Sequence, residues 1–281
     1  MLTTYTQQIN GETWLVEDDR DNLKISYRLK EIVAEEQSEF QHVMIVDSFD
    51  FGRTLVLDGV VQTTSADGHI YNEMITHVPL SIHPNAKKVL IIGGGDCGAA
   101  QEAAKYEQVE TIDLVEIDQT VVKLCQEYLP EVSGRLSDPR VHYHFTDGMQ
   151  YVKEHKNEYD VIIVDSSDPV GPGEVLFAKS FYLDIYDALK TDGLMVCQSM
   201  SPFLNQEITS QTYRRIGETF PHQKLYIATI PTYPGALWSF TIGSKEHQNI
   251  NVESFDKQTK YVNYNILKSC FELPAFLQKF V

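Results

Sequence analysis

The segment Asp165-Ser166-Ser167-Asp168-Pro169-Val170-Gly171-Pro172 sets two carboxylates three residues apart, on a loop stiffened by two prolines, directly after the apolar run 160–165. Asp96 closes another polar turn, Gly93-Gly94-Gly95-Asp96-Cys97-Gly98, which formally satisfies G-x-G-x-x-G. Glycines there let the backbone approach a ligand closely. A pyrophosphate, however, would compete with Asp96 for the positive end of the following helix, so an adenosine with a cationic tail suits the carboxylate better. Glu116 lies about twenty residues beyond the glycines, where an acid accepts hydrogen bonds from both ribose hydroxyls of NAD or S-adenosyl ligands alike. Asp118 reads as a helix N-cap. At Asp147-Gly148 the carboxylate either accepts from an adenine amino group, with the glycine leaving room for the ring, or caps a helix. Three acids in one pocket repel each other unless a cation joins them, and an isolated buried carboxylate tends to protonate. The pattern therefore points to a positively charged substrate. The rival, a divalent ion held by Asp96, Asp165 and Asp168, lacks a His at ligand spacing.

These residues need elements to hold them. The runs 88–93, 111–117, 140–145 and 160–165 are continuous β-branched blocks, the sign of strands buried on both faces of a mostly parallel sheet. Helical segments near 98–107, 118–129, 147–156 and 178–190 fit between them. The segment 193–199, a helix near 206–219 and the runs KLYIAT and ALWSFTIG complete the sheet. The fold class is α/β, and such a sheet binds ligands outside the carboxyl ends of its strands. From Thr13 to about Thr64, short β-type runs with an Asp58-Gly59 turn predict a small antiparallel sheet. A helix with apolar Ile70, Met74, Ile75 and Val78 follows and stops at Pro84. The expected division is an N-terminal β domain over 1–66 and a catalytic domain over 67–281.

The 281 residues, 42% of them hydrophobic, suffice for a large packed core, and 23 basic against 40 acidic residues give a net charge of −17. Nucleic acid and anionic membranes need a basic face, so neither is an expected partner on this balance. The N-terminal residues show no secretory pattern and no stretch is apolar enough to span a bilayer, so a cytoplasmic protein is expected. Cys97, Cys125, Cys197 and Cys270 have no C-x-x-C spacing and read as buried free thiols.

Gln41, DGVVQTT (58–64), Tyr71, Glu73, GGGDCG (93–98), Glu116, Asp147-Gly148, DSSDPVGP (165–172) and PTYPGALWS (231–239), in this order, resemble the spermidine synthase family of polyamine aminopropyltransferases. The resemblance runs from about Trp14 to the C-terminal LPAFLQKF. It implies a Rossmann-like, methyltransferase-type domain behind a β domain, and a dimer or tetramer. The implied reaction moves an aminopropyl group from decarboxylated S-adenosylmethionine, a co-substrate, onto an amine, typically putrescine, and releases 5′-methylthioadenosine with no cofactor and no metal. On the same footing, Gln41, Glu116, Asp147 and Gly148 would hold the nucleoside, with Pro172 bordering the adenine. Asp96, with Gln62 and Asn72, would bind the aminopropyl ammonium. Asp165 would be the base, and Asp168, Tyr71 and Tyr233 would position the attacking amine. Trp14 and Trp238 either flank the amine's alkyl chain or pack in the core, while His69, His77, His142 and His144 read as structural.

The chain departs from the family pattern at Gly68-His69, where Glu-Phe is usual, at Asn72 in place of a frequent His, and at Cys97 in place of Gly. Met200 stands where relatives often carry an acid near the far end of the diamine; Glu12, Asp18 or Glu207 are substitutes, and agmatine, cadaverine or spermidine are alternative acceptors. Outside this family, an S-adenosylmethionine methyltransferase or a non-catalytic polyamine-binding protein shares parts of the pattern.

Overall fold

In the computed structural model the structure describes residues 4–20, 22–134, 136–166 and 178–281. The first six strands, β1 (Thr6–Ile9), β2 (Glu12–Arg20), β3 (Leu23–Gln37), β4 (His42–Ser48), β5 (Gly52–Leu57) and β6 (Val60–Thr64), form an antiparallel sheet in chain order. Asp58 and Gly59 join β5 to β6 with φ of 48° and 85°, the pair of positive values that a two-residue type I′ hairpin requires. Alternation decides what each face does. Val43, Ile45 and Leu55 pack against Val121, Leu124 and Leu129 of the segment 121–129, while Met44, Val46 and Val56 join Leu15, Tyr27 and Leu29 on the opposite face.

The second sheet contains β7 (Lys88–Gly93), β8 (Thr111–Glu116), β9 (Val141–Phe145), β10 (Tyr159–Asp165), β11 (Leu189–Gln198), β12 (His222–Thr229) and β13 (Leu237–Ser244), in the order β12-β13-β11-β10-β7-β8-β9. Only β13 runs against its neighbours. Both faces are covered, which is why the strands read as unbroken apolar runs. Along β7 and β10, Val89, Ile91, Val161 and Ile163 enter one core cluster and Leu90, Ile92, Ile162 and Val164 the other. The helices are α1 (Gly68–Ile82), α2 (Gly98–Ala103), α3 (Gln119–Tyr128), α4 (Pro130–Ser133), α5 (Gly148–Glu154), α6 (Lys179–Ala188), α7 (Gln206–Gly217) and α8 (Tyr264–Ser269). This is the expected Rossmann-like arrangement behind an antiparallel β sheet. The chain steps outward from β7 to β8 and β9, then returns to place β10 on the other side of β7. The crevice at that reversal is where such sheets take ligands.

Two features escaped the sequence reading. β1 has one buried and three exposed residues, so it carries no apolar signal. β3 runs on to Gln37, and its later part is hidden in the sequence because register shifts against β4, between Leu29 and Glu31 and between Ile32 and Ala34, break the alternation that marks a strand.

Candidate active site

The strand β7 ends in a turn pressed against β10. Gly94 donates its N–H to the carbonyl oxygen of Asp165 at 2.9 Å. At Gly93, φ is +82° and an added Cβ would stand 2.2 Å from that same oxygen, so only glycine fits. The close approach sets Asp96, after β7, beside Asp165, the last residue of β10.

Each of these acids is held by a neutral donor. Tyr71 of α1 donates its hydroxyl to Asp165 Oδ1 at 2.7 Å. One turn face away, Asn72 Nδ2 donates to Asp96 Oδ2 at 3.3 Å, and Gly98 N–H donates to Asp96 Oδ1 at 2.8 Å. A Cβ at Gly98 would lie 2.1 Å from Asn72 Nδ2, so the glycine lets α2 close on α1. Burial and then the charge of Asp96 push the Asp165 carboxyl up to about 7, against the Tyr71 hydrogen bond, which favours the anion. Burial also raises Asp96, opposed by its Gly98 and Asn72 donors. Burial and the Asp165 charge hold Tyr71 well above its ordinary value, so it remains a neutral hydroxyl. Among the described residues, no Lys or Arg forms an ion pair with Asp96, Asp165 or Glu116.

At the neighbouring strand ends, Glu116 accepts the Asp118 N–H at 2.9 Å, and burial pushes its carboxyl up to about 7. Asp118 caps α3 through Thr120 N–H at 3.0 Å and also accepts from Gln41 Nε2 at 3.0 Å and Ser38 Oγ at 2.7 Å. The β3–β4 turn is thereby docked onto the strand that carries Glu116. Asp147 caps α5, accepting from Met149 N–H at 2.7 Å, while the space a Cβ at Gly148 would need is taken by Ile92, at 2.4 Å. That glycine serves the packing of α5 on β7. Ile117 and Phe145, beside these two acids, remain 44% and 42% exposed, an apolar pair the sequence reading missed.

On the Tyr71 side, Tyr233 packs edge-on against both Tyr71 and Trp238, with ring centroids 5.9 and 4.6 Å apart, and donates its hydroxyl to the Gln62 carbonyl at 2.7 Å. The Gln62 side-chain amide turns back to the Val60 carbonyl at 3.2 Å. Trp238 is buried in the core cluster that contains Tyr71, whereas Trp14 is half-buried on β2. Met200 is also in that cluster, with φ of 64°. Asp168 and Pro172 lie outside the described residues. Glu73 proves structural, receiving the N–H groups of Lys260, Tyr261 and Val262 at 2.7, 2.8 and 2.7 Å. His77 is buried between Tyr106 and Glu102, 2.9 Å from each.

Two further buried acids hold the Tyr233 turn. Asp67 accepts from Thr64 Oγ1 at 2.7 Å and from Thr232 N–H and Oγ1 at 2.8 and 2.6 Å. Tyr27 bridges Glu17 Oε2, at 3.3 Å, to the Thr232 carbonyl, at 3.2 Å. Neither had a local sequence signal, since the shared partner Thr232 is more than 160 residues distant. Asp67→Ala strands three buried donors and should lower unfolding stability by about 2–4 kcal/mol in denaturant titration; a change below about 0.5 kcal/mol would contradict the clamp.

Comparison with known proteins agrees with this arrangement. The chain matches the spermine/spermidine synthase domain over residues 68–254 and the spermidine synthase tetramerisation domain over 13–65. It is 46% identical over 270 residues to a polyamine aminopropyltransferase of Thermoanaerobacter sp. (strain X514), covering 95% of this chain and 98% of the relative, and likewise 46% identical to one from Clostridium kluyveri. Among solved structures, a spermidine synthase in complex with the transition-state analogue AdoDATO superposes with a TM-score of 0.90 at 38% identity, covering 95% of this chain and 94% of that one. Spermidine synthase from Thermotoga maritima gives 0.87 at 36% identity, with the same coverage.

Proposed function

Because the chain belongs to the spermine/spermidine synthase family of polyamine aminopropyltransferases, we propose that it transfers the aminopropyl group of decarboxylated S-adenosylmethionine onto putrescine, giving spermidine and 5′-methylthioadenosine. The observation that carries this reading is the pair Asp96 and Asp165, side by side at the crevice and bonded only to neutral donors among the described residues. A site so built has unmet demand for cations, and both substrates are cationic.

In this reading Glu116 holds the ribose, and the adenine lies between Ile117 and Phe145 with Asp147 and Gly148 at its edge. Gln41 orients this end through Asp118. Pro172, outside the described residues, is assigned to the adenine on the family resemblance alone. Asp96, with Asn72 and Gln62, receives the ammonium of the aminopropyl chain. An alkylamine has a pKa near 10.4 by analogy with Lys, so about one molecule in a thousand is nucleophilic at neutral pH. Asp165 takes one proton from the bound amine, while Tyr71, Tyr233 and Asp168 aim its lone pair at the carbon next to sulfur. The new C–N bond forms as the C–S bond breaks, and its electron pair leaves on sulfur as a neutral thioether. A sulfonium is already an activated leaving group, so the reaction as written needs no cofactor or metal. Positioning of the two substrates can supply roughly 7–11 kcal/mol in favourable cases.

The distal ammonium of putrescine needs an anion. Asp18 is exposed and paired with Lys24 at 2.8 Å, and Glu207 receives Gln211 Nε2 at 3.0 Å. Glu17, buried and tied through Tyr27 to the Tyr233 turn, fits better. Glu17→Gln should raise the KM for putrescine about tenfold or more while leaving that for the donor unchanged; equal effects on both would contradict the assignment. The apolar setting of Met200, only 6% exposed, favours a second reading in which a longer acceptor such as agmatine, cadaverine or spermidine is preferred. Methylthioadenosine release measured across these amines decides the matter: the highest kcat/KM for putrescine supports the first reading, and a clear preference for another amine overturns it.

The raised Asp165 carboxyl also fixes a pH dependence. The base must be ionised, so kcat/KM for the amine should rise about tenfold per unit below pH ~7 and level off above it. In kcat, the inflection should move to lower pH, because bound cations favour the carboxylate. A kcat/KM flat from about pH 5.5 to 8 would contradict Asp165 as base. We also read the protein as a cytoplasmic homodimer or homotetramer, a reading supported by the tetramerisation-domain match; no described helix is long and apolar enough to cross a membrane. The division into 1–66 and 67–281 remains our domain assignment.

A further inference from the structure

Three side chains from distant parts of the chain meet at the edge of the second sheet opposite the active site. His83 is the C-cap of α1 and precedes β7, whose carboxyl end carries the glycine turn. Asp192 lies early in β11, just before Leu194 pairs with Ser244 of the antiparallel β13. His247 follows β13, which returns to that same edge. Nε2 of His83 and Nε2 of His247 lie 3.7 and 3.5 Å from one oxygen, Asp192 Oδ2. All three ligand atoms fall within 4.8 Å of one another.

His83 is 4% exposed, and its Nε2 is buried with no hydrogen-bond partner. Leaving such an atom unbonded is unfavourable, and the atom points into a cluster that offers a carboxylate and a second imidazole. Asp192 and His247 are half-buried, which leaves a solvent-facing side. We infer that His83, Asp192 and His247 form a binding site for a divalent transition-metal ion of the zinc type, with water in the fourth position.

The donor set selects the ion. Two imidazoles and one carboxylate suit zinc, cobalt or nickel, whereas calcium and magnesium demand oxygen donors. With metal–ligand bonds of about 2.0–2.1 Å, a tetrahedral edge is about 3.3 Å, so two of the edges are already within a few tenths of an ångström. The third closes by movement of His247, on the segment beyond β13. Lys190 does not oppose the ion strongly, because its ammonium is engaged by Asp160 at 2.9 and 3.0 Å. One bond is given up: Asn85 N–H now donates to His83 Nδ1 at 3.3 Å, and a metal on Nε2 places the ring proton on Nδ1. The ion would clasp the end of α1, the start of β11 and the segment after β13, far from the acids at the carboxyl ends, so it should stabilise the fold without entering the reaction.

Full-length protein stripped by chelator and titrated with Co(II), then Zn(II), tests this. The expected result is one equivalent of Co(II) with the visible absorption of a low-coordinate site, displacement by Zn(II), and a raised Tm. His247→Ala and Asp192→Asn, at half-exposed positions, should each weaken binding at least about a hundredfold, beyond the ~10–100-fold typical of residues behind a ligand. Aminopropyl transfer should be unchanged in both. Unchanged Co(II) affinity in both variants would assign the ion to other histidines and overturn the site, as would no uptake up to about 1 mM metal.

Discussion

Asp165→Asn should lower kcat by about 10²- to 10⁴-fold, the range a positioned general base contributes, while binding of the nucleoside donor persists. Asparagine keeps the shape and can still accept the Tyr71 hydroxyl, so the change removes proton acceptance and charge with little else. The same substitution should make the protein more stable at pH 8. In the folded chain this carboxyl is pushed up to about 7, whereas in the unfolded chain it is near 3.9, so between those values the folded state holds more protons. Stability therefore falls as pH rises through that window, and the cost is fully present above it. Removing it should return on the order of 1–3 kcal/mol, at about 2–4 °C per kcal/mol in Tm. Near-normal kcat would contradict Asp165 as base, and a lowered Tm would contradict the electrostatic account of the site.

Asp96→Asn should act on the other substrate. A charge-assisted hydrogen bond to the aminopropyl ammonium contributes about 1.5–3 kcal/mol, so the donor KM should rise about 10- to 100-fold. A second effect separates this from mere damage. The Asp96 charge is the second cause of the raised Asp165 carboxyl, so its removal should shift the acid limb of kcat/KM for the amine to lower pH. An unshifted limb would show that the two carboxylates do not sense each other.

The strand-end acids were legible because each follows a β-branched run: 88–93 is read as a strand and β7 is Lys88–Gly93, and 160–165 becomes Tyr159–Asp165. A doubly wound sheet then brings such ends to one edge. What joins the ends was not legible, because it depends on pairing between distant segments. Gln41 and Asp118, Asp67 and Thr232, and Tyr27 with Thr232 each link residues whose neighbours give no hint of a partner. The insertion of β13 against the sheet direction, which returns His247 to the edge of His83, is equally silent in local periodicity. Gly148 carries a packing demand that its place beside a site acid did not announce: the space of its missing side chain is taken by Ile92.

In the proposed reaction the cleft must favour cations at the donor's tail. A carboxylate on that tail, about 4 Å from one acid at an effective dielectric near 20, meets a repulsion of about 4 kcal/mol, on the order of a thousandfold in affinity. Calorimetric titration with decarboxylated S-adenosylmethionine and with S-adenosylmethionine itself compares the two tails directly. The prediction is binding at least about a hundredfold tighter for the decarboxylated donor, with the difference collapsing in Asp96→Asn; equal affinity of the wild-type protein for both would contradict it.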